Sequence, residues 1–331
     1  MGPAGRIRKV DRLAGGGQML AMTLSALAAL PAVLPFPDIS PEIFSIDIGA
    51  FQFALRWYAL AYIAGILGGM GLAILAVRRR GMWPDATPPV TAKQIEDIIT
   101  WVTLAIVIGG RLGYVLFYQP DYYLEHPLEI LAIWQGGMSF HGGMVGTGLT
   151  VIAWALRHGV PFRQLLDLAA LAAPLGLLFG RLANFINAEL WGKPSTMPWA
   201  VIFPGNAAQS CANVGEFCAR HPSQLYEGLL EGVVLLVVLW AVALRGGLKA
   251  PGLVCGLFLA GYAVARIFVE LFRQADPQYV TIDNPAGHVI GGGEFGLTMG
   301  QVLSLPMLAI GVGAAVLAVR AARRTRRPGR A

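Results

Sequence analysis

The stretch from Gly180 to Gly192 concentrates polar side chains at the end of a long apolar run. Its sequence is G-R-L-A-N-F-I-N-A-E-L-W-G, and it places Arg181, Asn184 and Glu189 within nine residues. An ionised side chain in bilayer hydrocarbon costs about 3 kcal/mol or more, so charged residues at such positions usually serve a function. The alternative is a helix that ends in water, where polar side chains carry no such cost.

A second group of polar residues falls on one face of a predicted helix. Tyr262, Arg266, Glu270 and Arg273 are spaced by four, four and three residues. At about 100° per residue they occupy a sector of about 80°, which predicts a polar face turned towards a cavity. An internal ion pair between Arg266 and Glu270 is an alternative explanation, because residues four apart on a helix can pair.

Arginine, histidine and tyrosine also lie near the ends of other apolar segments. Arg111 shares a sector of about 60° with Tyr114 and Tyr118, while His141 stands in S-F-H-G-G and Tyr58 in R-W-Y. A guanidinium group binds phosphate oxygens through two hydrogen bonds, and a neutral imidazole can accept a proton near physiological pH. Together these residue types indicate chemistry on an anionic phospholipid.

The composition indicates what kind of chain positions these residues. Of 331 residues, 56% are hydrophobic and only 13% are charged, and the mean hydropathy is +0.60. Soluble domains have about 25% charged residues. The chain is therefore predicted to be an all-α, polytopic membrane protein, in contact with membrane lipid.

Several other function classes are excluded by composition and motifs. The net charge of +6 does not indicate nucleic-acid binding, because the basic residues cluster beside apolar runs as membrane topology requires. The sequence contains no H-x-x-x-H pair, no Walker loop and no G-x-S-x-G motif. We therefore expect no metal and no cofactor, and neither ATP nor serine-hydrolase chemistry.

Seven segments are long and apolar enough to be membrane-spanning helices. They cover approximately residues 53–77, 97–118, 137–156, 164–184, 224–244, 251–271 and 299–320. Every second connection between these segments, taken with the C-terminal tail, contains fourteen Lys and Arg residues in total. The remaining connections contain three. Because basic loops stay in the cytoplasm, the N-terminus is predicted outside and the C-terminus in the cytoplasm. This orientation brings polar residues of five spans to one level, near the outer leaflet.

The remaining parts of the chain are predicted to be shorter elements. Residues 1–50 are expected to form a leader or interfacial segment, partly disordered, because prolines interrupt its apolar run before about 20 residues. Residues 51–320 form the predicted seven-helix catalytic domain, and residues 321–331 a basic cytoplasmic tail. An extracytoplasmic loop region is predicted between the fourth and fifth spans. Cys211 and Cys218 lie in it, and their spacing is compatible with a disulfide or with free thiols.

The stretch from Gly180 to Gly192 closely resembles the signature of the phosphatidylglycerol–prolipoprotein diacylglyceryl transferase family, G-R-x-[G/A]-N-F-x-N-x-E-x-x-G, at every fixed position. The resemblance covers about residues 45–320. It includes R-W-Y at 56–58, G-G-R-L-G-Y at 109–114, S-F-H-G-G at 139–143, H-P-S-Q-L-Y-E at 221–227, R-I-F-V-E-L-F-R at 266–273 and M-G-Q at 299–301. Together these motifs are highly specific.

The resemblance implies a multi-pass enzyme of the bacterial cytoplasmic (inner) membrane, with its active site facing the outer leaflet and the periplasm. The implied reaction is the first step of bacterial lipoprotein maturation. It moves diacylglycerol from phosphatidylglycerol to the thiol of the lipobox cysteine, which follows the signal peptide of a preprolipoprotein. A thioether forms and glycerol 1-phosphate leaves.

The resemblance and the chemistry of the residues together suggest roles. His141 is the candidate base for the thiol, while Arg181 and Arg266 would bind the phosphate and offset its growing charge. Asn184 and Glu189 would orient the headgroup or hold those arginines. The other expected substrate contacts are Tyr58, Arg111, Tyr262, Glu270 and Arg273.

Two other functions are compatible with arginines inside a membrane protein. A transporter or flippase for an anionic lipid would tend to place its sites at the midplane on paired broken helices, whereas these charges lie near the outer end. A purely structural role would have the arginines anchor helices at the interface. An Arg181→Ala variant that inserts and folds but loses lipid transfer would distinguish an enzyme from both.

Overall fold

A computed structural model of the chain describes residues 33–48, 51–133, 136–211, 218–292 and 295–325. These residues are mostly helical, and five of their helices are long and apolar enough to cross a membrane. Residues 1–32 and 49–50 of the predicted leader, and residues 326–331 of the predicted tail, lie outside the described residues. The predictions for those two segments therefore stay predictions.

Nine helices occur in the described residues. In chain order they are α1 (Trp57–Arg78), α2 (Ala92–Phe117), α3 (Pro120–Glu125), α4 (Phe140–Arg157), α5 (Phe162–Ile186), α6 (Asn206–Gln209), α7 (Ser223–Leu244), α8 (Leu253–Val269) and α9 (Met299–Thr325). Helix α7 is π-helical over Gly228–Val234. Short 3-10 turns occupy Arg80–Met82, Pro84–Ala86, Pro127–Leu131, Gly247–Lys249 and Pro277–Tyr279.

Each of the seven predicted spans overlaps one of these helices. Five of them, α1, α2, α5, α7 and α9, have the length and apolar composition of membrane spans. The segments predicted at 137–156 and 251–271 form α4, with 18 residues, and α8, with 17 residues. Helix α4 carries four glycines and a histidine, which lower its apolar character. A polytopic membrane protein is thus confirmed, while seven spans and their orientation stay predictions.

The described residues are mostly helical, as the all-α prediction requires, and they also form three short two-stranded sheets that the sequence did not predict. Strands β2 (Glu42–Ile48) and β3 (Phe51–Arg56) form an antiparallel hairpin, and β5 (Ile290–Gly292) pairs in the same way with β6 (Phe295–Leu297). Strand β1 (Leu34–Pro35) is parallel to β4 (Val201–Ile202). Strand β3 runs directly into α1, so the apolar run beginning near residue 53 includes residues that belong to the hairpin.

The chain divides into two compact units. Of the described residues, the smaller unit contains those between 33 and 37 and between 193 and 221, and the larger unit contains those between 38 and 192 and between 222 and 325. Within the smaller unit, Arg220 is buried and donates to the carbonyl oxygens of Ala208 and Ser210. Cys211 and Cys218 form a disulfide there, which answers the question that their spacing left open.

In the larger unit, α2 and α4 contact each other through glycine backbone. A Cβ atom on Gly113 would lie 2.6 Å from the Cα atom of Gly142, and one on Gly142 would lie 2.8 Å from the Cα atom of Gly113. No side chain fits between the helices at this level. Gly142 follows His141, so the close approach fixes the first turn of α4, and with it His141, against α2.

Helices α5 and α8 are joined by a buried carboxylate. Asp167 of α5 is fully buried and accepts hydrogen bonds from the backbone nitrogens of Gly252 at 2.6 Å and Cys255 at 2.7 Å. The first amides of a helix have no partner within the helix, so Asp167 caps α8 from a neighbouring helix. This contact holds the beginning of α8, and therefore the alignment of α8, against α5.

Candidate active site

Three arginines from two parts of the chain converge on one buried glutamate. The Glu227 carboxylate of α7 lies 2.8 Å from Nε of Arg181 and accepts a hydrogen bond from Nη1 of Arg266 at 2.5 Å. It also accepts from Nη1 of Arg273 at 2.8 Å. The Glu227 side chain is fully buried, whereas the Arg181 and Arg266 side chains keep 15% and 16% exposure. Both arginines can therefore be reached from outside the cluster.

Two further carboxylates complete this arginine–carboxylate cluster. Glu231 lies 3.5 Å from Nη2 of Arg181, and Glu270 lies 3.0 Å from Nη2 of Arg266 and 3.4 Å from Nε of Arg273. Removing one partner of a buried ion pair costs about 3–5 kcal/mol, because the other charge stays buried without compensation. The cluster therefore fixes the positions of its arginines firmly.

Small residues let the backbones approach this cluster. A Cβ atom on Gly228 would lie 3.5 Å from the Cβ atom of Arg181, and one on Gly300 would lie 2.8 Å from the Glu270 carboxyl carbon. Gly228 also begins the π-helical segment of α7, a helix form that occurs frequently at functional sites. Helices α5, α7 and α9 therefore pack tightly around the charged groups.

Arg181 has hydrogen-bonding capacity that the described residues do not use. Glu227 lies in ion-pair contact with Nε and Glu231 accepts a hydrogen bond from Nη2, while Nη1 has no hydrogen-bond partner among the described residues. By contrast, both terminal nitrogens of Arg266 contact carboxylates. Arg181 therefore keeps a terminal nitrogen that is available to an anion such as a phosphate.

Asn184 and Glu189 form a second polar group beside the cluster. Nδ2 of Asn184 donates to Oη of Tyr58 at 3.1 Å and to Oε1 of Glu189 at 2.7 Å. Helix α5 ends at Ile186, within the stretch from Gly180 to Gly192. After this end, Ala188 and Leu190 adopt positive φ values of 52° and 58°. Such conformations are unfavourable for residues with a side chain and therefore need support.

Helix α7 supplies that support through two buried residues. Gln224 Nε2 donates to the carbonyl oxygen of Glu189 at 2.5 Å, and Ser223 Oγ donates to that of Leu190 at 3.0 Å. A backbone bridge between Gly192 and Arg273 holds the far end of the same loop. The loop that carries Glu189 is thus fixed by the segment that also provides Glu227.

His141 and Tyr262 lie close to the charged cluster. His141 is in the first turn of α4, where Ser139 Oγ accepts from the backbone nitrogen of Gly142 at 3.3 Å, and it is within electrostatic range of Arg266. Tyr262 is buried and lies within electrostatic range of Glu231, Arg266 and Arg181. The expected site residues of α4, α5 and α8 are thus brought into one region.

Arg111 is not brought into this cluster. Four of its five N–H groups donate to backbone carbonyls of the α2–α4 connection, those of Glu129, Ile130, Gly136 and Gly137, at 2.6–3.2 Å. Its guanidinium group also lies 5.1 Å from the ring centre of Tyr123. Arg111 therefore holds this loop together, which accounts for the burial of its guanidinium group.

Sequence reasoning missed Glu227 and Glu231 as site residues. Glu227 stands in H-P-S-Q-L-Y-E, but its partners lie 46 positions before it and 39 and 46 positions after it. Helical spacing reveals only neighbours on one helix, such as Arg266 with Glu270. The available signal was a pair of glutamates four residues apart near the beginning of an otherwise apolar helix. Within the described residues, no group of three or more His, Cys, Asp or Glu is arranged to hold a metal ion.

The five candidate spans and the buried arginine–carboxylate cluster define a polytopic membrane protein with an arginine-rich polar site among its helices. A family model described as prolipoprotein diacylglyceryl transferase matches residues 43–317. The chain belongs to this family.

Relatives from several bacteria are similar over nearly their whole length, and each is named phosphatidylglycerol–prolipoprotein diacylglyceryl transferase. The protein of Ruegeria pomeroyi is 59% identical over 86% of this chain and 96% of its own length. That of Cereibacter sphaeroides is 55% identical over 84% of this chain and 96% of its own length. That of Rhizobium meliloti is 49% identical over 90% of this chain and 99% of its own length.

Proposed function

We propose that this protein transfers the diacylglyceryl group of phosphatidylglycerol to the thiol of the lipobox cysteine in a preprolipoprotein. The names of the relatives support both substrates. The observation that carries the assignment is Nη1 of Arg181, which lacks a hydrogen-bond partner among the described residues, while Glu227 and Glu231 contact the other two nitrogens of the same guanidinium group. A lipid phosphodiester is an anion that this nitrogen can bind.

The reaction is an alkyl transfer, in which the nucleophile belongs to the substrate. The thiol sulfur forms a bond to the terminal glycerol carbon of the diacylglyceryl group, and the bond between that carbon and the phosphate oxygen breaks. The electron pair of the broken bond stays on the oxygen, so glycerol 1-phosphate leaves. His141 accepts the thiol proton, because a thiol with a pKa of about 8.5 is mostly protonated near neutral pH.

The remaining site residues bind or position the phospholipid. Arg181 contacts the phosphate, and Arg266 offsets the charge that builds on the leaving group, since a fixed cation stabilises charge that develops in the transition state. Asn184, Glu189 and Tyr58 orient the headgroup. Tyr262, Glu270 and Arg273 keep the arginines in place. Arg111 acts at a distance from the lipid, through the loop that it holds.

We also infer the orientation of the chain in the bacterial inner membrane. Helices α4 and α8 join the five candidate spans to give seven, with the N-terminus in the periplasm and the C-terminus in the cytoplasm. Basic residues number fourteen on the cytoplasmic side and three on the other. The site then opens to the outer leaflet, where the signal peptide delivers the lipobox cysteine.

Purified protein incubated with phosphatidylglycerol and a lipobox peptide tests this function by mass spectrometry of the peptide. We expect the peptide cysteine to gain one diacylglyceryl group, and Arg181→Ala to abolish the gain. Arg157→Ala is the matched control, because Arg157 is exposed in the last turn of α4 and should be dispensable. An unmodified peptide with well-folded wild-type protein would rule out the transferase, and lipid movement across vesicles in that sample would favour a flippase.

A further inference from the structure

The guanidinium group of Arg181 is held along one side only. Its Nε atom lies 2.8 Å from Glu227 Oε2, and its Nη2 atom lies 3.5 Å from Glu231 Oε2. These two nitrogens point to the same side of the guanidinium group, and a carboxylate contacts each. The Nη1 atom on the other side has no hydrogen-bond partner among the described residues.

Arg266 and Arg273 are held differently. Both terminal nitrogens of Arg266 contact carboxylates, Nη1 that of Glu227 and Nη2 that of Glu270. Arg273 uses Nη1 and Nε on the same two carboxylates. Within the described residues, Glu231 therefore serves Arg181 alone, whereas Glu227 and Glu270 each serve more than one arginine.

Glu231 has a further feature that a simple ion pair would not require. Its side chain is fully buried, and Oε1 has no hydrogen-bond partner among the described residues. A buried, unpaired carboxylate oxygen is unfavourable and does not persist for stability alone. A hydrophobic residue at this place in an apolar helix would cost less desolvation free energy. The presence of a carboxylate therefore points to a role in placing Arg181.

Charge balance agrees with this role. Within the described residues, the arginine–carboxylate cluster contains three arginines and three glutamates. If all six are ionised, their charges cancel, so the cluster does not attract an anion by net charge. Phosphate binding then depends on orientation, namely on an N–H group aimed away from the carboxylates. Glu227 and Glu231 create such a group by occupying Nε and Nη2 of Arg181.

We infer that Glu231 is a positioning residue, which together with Glu227 fixes Arg181 so that Nη1 is presented to the phosphate of the lipid substrate. This inference rests on the proposed function, since it concerns how the same site binds phosphatidylglycerol. It predicts that a substitution of Glu231 acts through Arg181. The substitution should change the kinetic constants for the lipid and leave the KM for the peptide unchanged.

Steady-state kinetics of Glu231→Gln with phosphatidylglycerol and a lipobox peptide test the inference. We expect kcat/KM for the lipid to fall at least about 10-fold, the size expected for one hydrogen bond to a charged group. The KM for the peptide should not change. Glu96→Gln is the matched control, because Glu96 is exposed on α2 and should retain wild-type kinetics.

A double-mutant cycle with Arg181→Lys separates positioning from a general loss of structure. If Glu231 acts through Arg181, adding Glu231→Gln to Arg181→Lys should reduce the remaining activity by less than about 2-fold. Fully multiplicative effects, an equal rise in the peptide KM, or wild-type kinetics for Glu231→Gln would each overturn the inference.

A second substitution and the wild-type protein separate a folding defect and a wrong functional assignment from a wrong inference about Glu231. If Glu231→Gln does not fold, as judged by thermal unfolding and size-exclusion chromatography, Glu231→Asp is assayed in its place. The shorter carboxylate keeps the charge but should still lower kcat/KM for the lipid, and wild-type values would overturn the inference. Absence of transfer by the wild-type protein would instead overturn the proposed function.

Discussion

The side-chain amide of Asn184 donates to the hydroxyl oxygen of Tyr58 at 3.1 Å, although the two residues are 126 positions apart. The same amide nitrogen donates to Glu189 at 2.7 Å. One nitrogen thus joins α5, the beginning of α1 and the loop that follows α5. Asn184 is the point at which these three segments are held together.

Asn184→Asp tests this junction with almost no change of shape. The variant places a second carboxylate against Glu189 and removes the donor to Tyr58, so we expect diacylglyceryl transfer to fall about 30-fold, equivalent to about 2 kcal/mol. Tyr58→Phe removes one acceptor only and should lower the rate less than about 5-fold. Equal losses of transfer rate in the two variants would show that the contact between Asn184 and Glu189 does not contribute to the reaction.

His141→Gln tests the proposed base. Loss of a general base lowers rates by about 100-fold or more, so kcat should fall by at least that amount. The wild-type rate should rise as pH increases through the titration of the base, and that rise should be absent from the variant. An unchanged rate and pH profile would assign His141 to packing or orientation.

Gly142→Ala tests the close contact of α2 and α4. The added methyl group would meet the backbone of Gly109 and Gly113, so we expect a loss of about 1–3 kcal/mol in the free energy of unfolding. Gly148→Ala on the same helix is the control. Among the described residues, no atom outside its own turn of helix lies within 4 Å of the place that its added methyl group would occupy, and alanine favours helices by up to about 1 kcal/mol over glycine. Thermal unfolding in detergent measures both, and similar stabilities would contradict the contact.

Asp167→Asn tests the cap of α8. An asparagine has one acceptor oxygen in place of two, so one of the amides of Gly252 and Cys255 loses its partner. We expect a loss of about 2 kcal/mol in the free energy of unfolding, with Glu96→Gln as an exposed control. Transfer activity per folded molecule should persist. A stable variant without activity would instead connect Asp167 with the reaction.

Arg111→Ala tests the loop between α2 and α4. Four carbonyl groups lose their donor, so residues 119–137 should become sensitive to limited proteolysis. Arg157→Ala should show the wild-type cleavage pattern. If the Arg111 variant resists the protease but binds phosphatidylglycerol more weakly, Arg111 belongs to the lipid site after all.

The sequence was sufficient to predict the membrane class, the approximate helices and most residues of the charged region. Apolar length and helical periodicity reveal these features because both are local. Helix α8 illustrates this: Arg266 of α8 and Glu270, the residue directly after it, are four apart and form the ion pair that their spacing allows. Asn184, Glu189 and Tyr58 stood out as polar residues near apolar segments, and the resemblance to a known family added their expected roles, because no periodicity connects them.

Features that depend on distant partners could not be predicted from spacing. Arg111 and Arg181 both follow glycine in similar three-residue stretches, yet one binds loop carbonyls and the other binds carboxylates of α7. Their roles are decided by what packs against them, and a single sequence does not contain that information. The same reason explains why Glu227 and Glu231 were overlooked.

The glycine-rich beginning of α4 has a consequence for biosynthesis. Four glycines and His141 fall within its first nine residues, so this helix gains little from transfer into lipid by itself. Backbone contact with α2 has to supply the remaining stabilisation. We therefore expect the translocation machinery to release α2 and α4 together, as a hairpin, so that the histidine enters the bilayer already shielded by its neighbour.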